Sequence, residues 1–153
     1  MTRTDVHYTQ PGWFTQHVFN RFVGWLTRRG LTVWGSRVLE VPGRTTGVPR
    51  QVPVNLLTFG DQHYLVSPRG HGQWVRNVRS NDGRLDLLLG RRRTHHVAHE
   101  LADADKVDVL RAYLERWKFE VGQFFDGVDA ASSDAVLLGI APNHPVFRLD
   151  AGG

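Results

Sequence analysis

The sequence has no cysteine among its 153 residues. That absence excludes disulfide bonds, thiolate nucleophiles, iron–sulfur clusters and cysteine-based zinc sites. The chain also lacks an apolar run that approaches the ~18 residues of a membrane span, and residues 1–5 contain no signal-peptide core. We therefore expect a cytoplasmic protein whose chemistry does not depend on sulfur.

Lysine is absent from residues 1–93, yet this part is strongly basic because it contains 14 arginines against five acidic residues. Residues 94–153 are acidic, with ten acidic residues against three arginines and two lysines. The planar guanidinium suits carboxylates and phosphates, so the basic part predicts an anion site. An arginine-rich composition without a particular role explains the same numbers equally well.

The composition is that of an ordinary folded domain, because 41% of the residues are hydrophobic and 22% are charged. Disorder and fibrous structure are excluded on that ground. The length favours one domain with an arm. We divide the chain into an N-terminal amphipathic helical arm over residues 1–30 and a domain over residues 31–153.

The arm is predicted as a helix between Trp13 and Arg29, where large apolar residues recur at three- and four-residue spacing. Gly30 supplies a stop signal. We expect this apolar stripe to dock on the core of the domain. Its aromatic residues and basic end leave peripheral contact with a membrane surface as the alternative.

Short strands separated by turn residues dominate the chain from residue 32 onward. Five runs predict strands: Val33–Val41, Gln51–Phe59, Tyr64–Val66, Arg84–Leu89 and Thr94–Leu101.

Two helices interrupt this pattern, a short one from Trp74 that ends near Asn81, Asp82 and Gly83, and one from the cap Asp103 to about Trp117. The runs 136–140 and 146–149 are apolar enough for strands or a packed tail. Hairpins with few helices predict a mainly β (α+β) fold, a small barrel of antiparallel strands with flanking helices.

A glycine- and arginine-rich loop lies between the first two strands. Glycines let backbone N–H groups converge, and threonine hydroxyls and arginines add donors, so the loop predicts a phosphate or carboxylate cradle. Its members are Gly43, Arg44, Thr45, Thr46 and Gly47, with Arg50 following. The spacing and lysine of a P-loop are absent, and a basic hairpin turn is the alternative.

A second cluster of small and polar residues follows the third strand. Here a strand end, a glycine-rich turn and a helix start come together, where backbone amides and the positive helix end can meet an anion. The cluster is the whole segment Ser67–Asn77, which includes His71, Gln73 and Val75, and the candidate site residues within it are Ser67, Pro68, Arg69, Gly70, Gly72, Trp74, Arg76 and Asn77.

The ordered combination of these motifs resembles the deazaflavin-dependent nitroreductase family, small actinobacterial split β-barrel oxidoreductases that use coenzyme F420. The shared features are the Gly-Arg-Thr-Thr-Gly loop with Pro-Arg after it, an apolar strand pair, a glycine-rich turn and Trp-x-x-Asn. The resemblance extends from about Val41 to Leu101, and the aromatic N-terminal helix fits the family layout, whereas the C-terminal third matches poorly.

The resemblance implies a split β-barrel in residues 31–153 that holds the deazaflavin in a groove. The loop from Gly43 to Gly47, with Arg50, then contacts the phosphate and the acidic tail of the cofactor. The segment from Ser67 to Gly72 lies along the ring, and Trp74, Arg76 and Asn77 begin the adjoining helix. The protein binds and orients the cofactor, and the ring carries the hydride chemistry.

The function implied is hydride transfer from reduced F420 to a small planar electron acceptor, which is a quinone, a nitro compound or an enone. Two alternatives stay open: a non-catalytic barrel that carries a hydrophobic ligand, and a relative that binds FMN. A nucleic-acid partner is not expected, and the chain is predicted to be a monomer or a homodimer.

The C-terminal segment departs from the family pattern, in which tyrosines lie near the substrate and supply the proton donor. The corresponding stretch here offers Trp117, Phe119, Phe124 and Phe125. We predict that Ser67, or the amides beside it, stabilises the developing charge at the site. The alternative is that Ser67 only closes a turn.

Other clusters predict no site. His95 and His99 share a strand face, but no carboxylate pattern completes a metal site with them. The tip Gly90–Arg93 lacks the interleaved aromatic residues of a nucleic-acid platform and is interpreted as a solvated basic turn. The nucleophile elbow G-x-S-x-G of hydrolases does not occur.

Overall fold

A closed antiparallel β-barrel organises the chain in the computed structural model, which describes residues 36–121 and 124–152. Its strands are β1 Ser36–Pro42, β2 Pro49–Phe59, β3 Gln62–Val66, β4 Arg84–Leu89, β5 Arg92–Glu100 and β6 Val146–Ala151. Around the barrel their order is β1-β2-β3-β6-β5-β4, and each neighbouring pair is antiparallel. The predicted mainly β fold with a small barrel is confirmed, whereas the predicted arm over 1–30 lies outside the described residues.

Three helices flank the barrel in the described residues: α1 Gln73–Ser80, α2 Val107–Val121 and α3 Asp134–Ile140. Two 3₁₀ turns, Asp103–Asp105 and Ala141–Asn143, precede α2 and follow α3. No helix in this part of the chain is long and apolar enough to cross a membrane.

The barrel is filled because alternate strand residues point inward. On β1, Leu39 exposes 0% of its surface to solvent and Val41 exposes 1%. Helix α1 covers one end of the barrel, where Val75 and Val78 join the same apolar cluster. Burial of a side chain of this size contributes roughly 1.5–3 kcal/mol, so this contact holds α1 firmly against the strands.

A second apolar cluster lies outside the barrel wall, between it and the helices α2 and α3. Tyr113 and Trp117 of α2 pack against each other with ring centroids 5.2 Å apart, and Phe125 lies against Tyr113. Leu137 of α3 and Val66 of β3 complete this cluster. The two clusters share the barrel wall, and the turn after β3 lies at their boundary.

Several sequence-based assignments differ from the structure, and three of them have a clear physical reason. The run 136–140 is the helix α3, because Ser133 accepts a hydrogen bond from the Val136 N–H and so caps the first turn. Asp103 begins a 3₁₀ turn and ion-pairs with Lys106 at 2.8 Å, so it does not cap α2. The β4–β5 turn is shorter than Gly90–Arg93, since β5 begins at Arg92.

Candidate functional site

The β1–β2 loop is closed by its own backbone. The Gly43 N–H donates to the Val48 carbonyl, and the Gly47 N–H donates to the Gly43 carbonyl, both at 2.8 Å. Gly47 has a φ of 76°, which a residue with a Cβ adopts only with strain. A Cβ added at Gly43 would lie 3.3 Å from the Val48 carbonyl oxygen and 3.4 Å from Arg50 Nε. The loop is therefore a tight turn over which the Arg50 side chain folds.

Arg44 fastens this loop to the helix α1. Its backbone N–H donates to Asn77 Oδ1 at 3.1 Å, and its NH1 donates to the same oxygen at 2.8 Å. The NH1 group also donates to Gln73 Oε1 at 2.8 Å. The loop and the Trp-x-x-Asn helix, predicted as separate parts of one site, are thus in direct contact.

Asn77 has an unmatched donor at this contact. Its side-chain oxygen must face Arg44, because both Arg44 groups can only donate. Its Nδ2 amide then points elsewhere, and no acceptor for it is found within residues 36–121 and 124–152, although Asn77 is only 4% exposed. A buried donor without an acceptor costs about 1–3 kcal/mol, so this position favours a bound acceptor.

The turn between β3 and α1 is held by short bonds around Ser67, which is buried. Ser67 Oγ donates to the Gly70 carbonyl at 2.5 Å, and the Ser67 N–H donates to the Pro145 carbonyl at 2.9 Å. Gly70 has a φ of 95°. The Ser67 hydroxyl proton is thus engaged inside the turn, and its role in stabilising developing charge stays a prediction.

Several arginines of the two segments contact no carboxylate in the described chain. Arg69 lies over the Phe124 ring at 5.3 Å, and Arg76 Nε donates to the His71 carbonyl at 3.1 Å. Arg44 is bonded to neutral amides only, and Arg50 has no ion-pair partner in the same residues. We call Arg44, Arg50, Arg69 and Arg76 the groove arginines. Their uncompensated charge makes this surface suited to an anion.

The remaining predicted residues take different places. Gly72 precedes α1 and accepts from the Arg76 N–H at 3.1 Å. Trp74 packs on Phe147 of the barrel core, with centroids 5.7 Å apart, so its ring serves packing. Thr46 Oγ1 accepts from the Val48 N–H within the loop. Thr45 is exposed in that loop, and Pro68 is half-buried in the turn.

Two members of the predicted Ser67–Asn77 cluster, Gln73 and His71, were given no role of their own by sequence analysis. Gln73 lies four residues before Asn77 and therefore on the same helix face, a spacing that could have revealed it. His71 Nε2 bonds to the carbonyl oxygen of Pro142, 71 residues away, and no local sequence pattern predicts that contact.

A second charged cluster lies on the outer face of β1, β4 and β5, beside an open depression of about 340 Å³. Arg93 NH1 donates to Glu40 and to Asp86, both at 2.6 Å, and His95 Nδ1 is 2.6 Å from Asp86. Hydrogen bonds from Arg93 and then from Gln51 lower the pKa of Glu40 below its usual value. Burial raises the pKa of Asp86, but hydrogen bonds from Arg93 and His95 outweigh it and lower that pKa.

The interpretation of Arg91–Arg93 as one solvated tip is therefore wrong for Arg93, which lies on β5 between two carboxylates. His99 pairs in the same manner with Asp150 at 2.8 Å. Among the residues that the structure describes, no three His, Asp or Glu side chains are placed to hold a metal ion.

The fold defines a class, that of small proteins built on one closed antiparallel barrel with a turn and helix at its end. Within that class the chain belongs to the F420H(2)-dependent quinone reductase family, whose profile matches residues 14–124. The resemblance to F420-using split-barrel reductases is thereby confirmed. No curated protein matches the chain.

Solved structures share the barrel at low sequence identity. An F420-H2 dependent reductase, FDR-A, is 17% identical over 76% of this chain and 94% of its own, with a TM-score of 0.50. The conserved hypothetical protein Rv2991 from Mycobacterium tuberculosis is 13% identical over 99% of this chain and 87% of its own, with a TM-score of 0.52. A chain described as a domain-swapped dimer is 16% identical over 86% of this chain and 98% of its own, with a TM-score of 0.53. These likenesses support the fold alone.

Proposed function

We propose that this protein is a reductase that binds coenzyme F420 between the β1–β2 loop and the start of α1. The observation that carries the proposal is the contact of Arg44 with Asn77, which joins the two segments into one donor-rich surface. Family membership supports the choice of cofactor. When bound in its reduced form, F420 supplies a hydride.

The residues present fit such a group. F420 carries a phosphodiester and a glutamate tail, and both are anions. The groove arginines offer positive charge that no carboxylate of the described chain neutralises. The Nδ2 amide of Asn77 is a buried donor without an acceptor in the same residues, which suits an anionic or carbonyl oxygen.

Each residue then has a separate task. Arg50 and Arg44 hold the anionic tail, because a hydrogen bond to a charged group contributes about 1.5–3 kcal/mol. The turn from Ser67 to Gly72 presents its backbone along the ring. Ser67, or the amides beside it, stabilises the charge that develops on the acceptor oxygen.

The electron acceptor is a planar electrophile: a quinone, a nitro compound or an enone. Phe124 and the Arg69 guanidinium stacked on it form one wall beside the turn. An apolar wall with a cation above it accommodates a flat ring that gains negative charge on reduction. We retain the arm over residues 1–30 as a separate unit that docks on the domain, and a monomer or a homodimer as the assembly.

Fluorescence titration of the purified protein with F420, and separately with FMN, tests the proposal. We expect saturable binding of F420 and much weaker binding of FMN, whose shorter phosphate end meets fewer of the groove arginines. A third titration uses F420 without its glutamate tail. The loss of affinity in Arg44→Ala or Arg50→Ala should shrink with that molecule only if the tail, and not the phosphate, is the contact of the arginine.

Two results would contradict the proposal. Tight FMN binding without any response to F420 identifies an FMN-binding relative instead. Binding of neither cofactor, with uptake of an apolar dye into the barrel, favours a carrier of a hydrophobic ligand.

A further inference from the structure

His71 lies in the turn before α1 and bonds at both ring nitrogens. Its Nε2 is 2.7 Å from the carbonyl oxygen of Pro142, in the 3₁₀ turn after α3. Its Nδ1 is 3.2 Å from NH2 of Arg79, on α1. The ring therefore joins the glycine-rich turn to two other elements of the fold.

These partners determine the protonation of the ring. A carbonyl oxygen can only accept, so Nε2 must carry a hydrogen. A guanidinium can only donate, so Nδ1 must be bare. His71 is thus the neutral tautomer with its proton on Nε2, and the opposite tautomer loses both bonds.

Glu100, at the end of β5, holds Arg79 in place for this contact. Its carboxylate accepts from Arg79 Nε at 2.8 Å and from Arg79 NH2 at 2.6 Å. A bidentate pair of this kind fixes the plane of the guanidinium. The second hydrogen of NH2, which points away from that edge, then remains for His71.

His71 also takes part in hydrogen bonds through the backbone of the turn. The His71 carbonyl accepts from Arg76 Nε at 3.1 Å, and the neighbouring Gly72 N–H donates to the Gly70 carbonyl at 2.9 Å. Gly70 has a φ of 95°, a conformation that glycine adopts without strain. Glu100, Arg79 and His71 add contacts with other elements to the bonds that Ser67 makes inside the turn.

We propose that His71, aligned by Arg79 and Glu100 and bonded to Pro142, is a positioning residue that presets the Ser67–Gly72 turn for cofactor binding. The proposal rests on the proposed function, because the turn matters to the extent that F420 lies along it. His71 acts through the backbone of the turn and not by contact with the reacting atoms.

Two-dimensional ¹H–¹⁵N NMR of the histidine rings in the ligand-free protein tests the tautomer directly. We expect the His71 ring to show a protonated Nε2 and an unprotonated Nδ1. The change Glu100→Gln weakens the alignment of Arg79, so it should move the His71 Nδ1 signal and the amide signals of Gly70 and Gly72. The change Arg111→Lys removes an ion-paired arginine of α2 and should leave these signals in place.

Titration with F420 tests the consequence. His71→Leu removes both bonds and should weaken binding about tenfold, the effect of losing a hydrogen bond that orders a loop. His71→Gln retains an acceptor and a donor on its side chain and should restore most of the affinity. Arg79→Lys keeps the charge but loses the planar donor fork. Comparing it with Arg111→Lys therefore separates the alignment of His71 from a general effect of replacing an ion-paired arginine.

The proposal is overturned by a proton on Nδ1 of His71, or by a His71→Leu protein that binds F420 as the unchanged protein does. If the unchanged protein binds no F420, the proposed function fails separately. Two NMR results then still decide whether these contacts preset the turn. They are the tautomer of the His71 ring in the unchanged protein and the shift of the Gly70 and Gly72 amide signals in His71→Leu.

Discussion

Arg93 and the groove arginines lie in different surroundings on this barrel. Arg93 meets Glu40 and Asp86 on the outer face of the strands, and His95 adds a third partner to the cluster. The groove arginines meet amides, a carbonyl and an aromatic ring, and no carboxylate in residues 36–121 or 124–152. Arg93 is neutralised by carboxylates of the chain itself, and under the proposed function the groove arginines are the ones that meet an external anion.

The difference teaches that a sum of charges does not locate a binding site. The 14 arginines of residues 1–93 form one basic block in the sequence, and Arg93 counts as much as Arg44. Only the strand register shows that Asp86 is directly opposite His95, with Arg93 beside them. Arginines that contribute equally to the total charge therefore differ in whether a carboxylate of the chain neutralises them.

The largest expected effect comes from making the groove resemble the Arg93 cluster. Asn77→Asp keeps an acceptor for both Arg44 donors but removes the free Nδ2 donor and adds a negative charge. We expect F420 affinity to fall about 100-fold, equivalent to ~3 kcal/mol, while the protein stays folded. Fluorescence titration and circular dichroism measure the two effects.

The mirror change Asp86→Asn is the control for that variant, since it removes a carboxylate from the Arg93 cluster, which has no bond to Arg44 or Asn77. It should leave F420 affinity within about twofold. Equal affinity of Asn77→Asp and the unchanged protein would contradict the proposed site.

A smaller effect is expected when a single groove arginine is removed. Arg44→Ala or Arg50→Ala should weaken F420 binding by about 1.5–3 kcal/mol, the contribution of a hydrogen bond to a charged group. Arg91→Ala, at the β4–β5 turn, removes the same charge from the opposite end of the barrel and serves as the matched control. Loss of affinity in all three variants to the same degree would indicate a general charge effect and not a groove.

Ser67→Ala tests the uncharged side of the proposed site, the turn from Ser67 to Gly72. We expect a lower turnover rate with F420 affinity nearly unchanged, together with a fall in Tm because a buried hydroxyl-to-carbonyl bond worth about 1 kcal/mol is lost. Single-turnover kinetics and calorimetry give the two values. Unchanged turnover, or a larger loss in Tyr113→Phe, would assign Ser67 to the turn alone.

The smallest effect concerns the pH dependence of stability at the Arg93 cluster. The lowered pKa values of Glu40 and Asp86 stabilise the folded protein above the ordinary carboxyl pKa of about 4, and this is lost as pH falls through the folded values. Arg93→Gln should therefore lower Tm at pH 7 by under about 3 °C, since exposed pairs contribute little. The difference should vanish near pH 2, where thermal scans of both proteins should coincide.

The strands were predictable to a large extent because their alternation and turns are local. The bounds Arg84–Leu89 of β4 were predicted without error, and the turn at Gly60 and Asp61 needs the positive φ values of 57° and 65° that those residue types tolerate. The helix α3 was missed because a run of five apolar residues fits a strand as well as a helix. Its cap, Ser133, is the local signal that distinguishes them.

The candidate site was predictable only in pieces. Each segment carried a local signal, but the bond from Arg44 to Asn77 spans 33 residues and follows from how α1 covers the end of the barrel. The ordered motifs of the family supplied that link where local physics did not. His71 lay inside the predicted cluster without a role of its own, and Glu100 lay outside it, because the contacts that join them arise only in the closed fold.

The closure of the barrel by β6 has a consequence for biosynthesis. This strand pairs with β3 on one side and with β5 on the other, so both edges stay open on the ribosome until residues 146–151 have been made. Open strand edges pair readily with other chains, which makes the nascent protein prone to aggregation during that interval. Because these pairings join distant parts of the chain, closure is also a slow step of folding. A chaperone that shields the nascent β3 and β5 edges should therefore raise the yield of active protein more than one that acts after release.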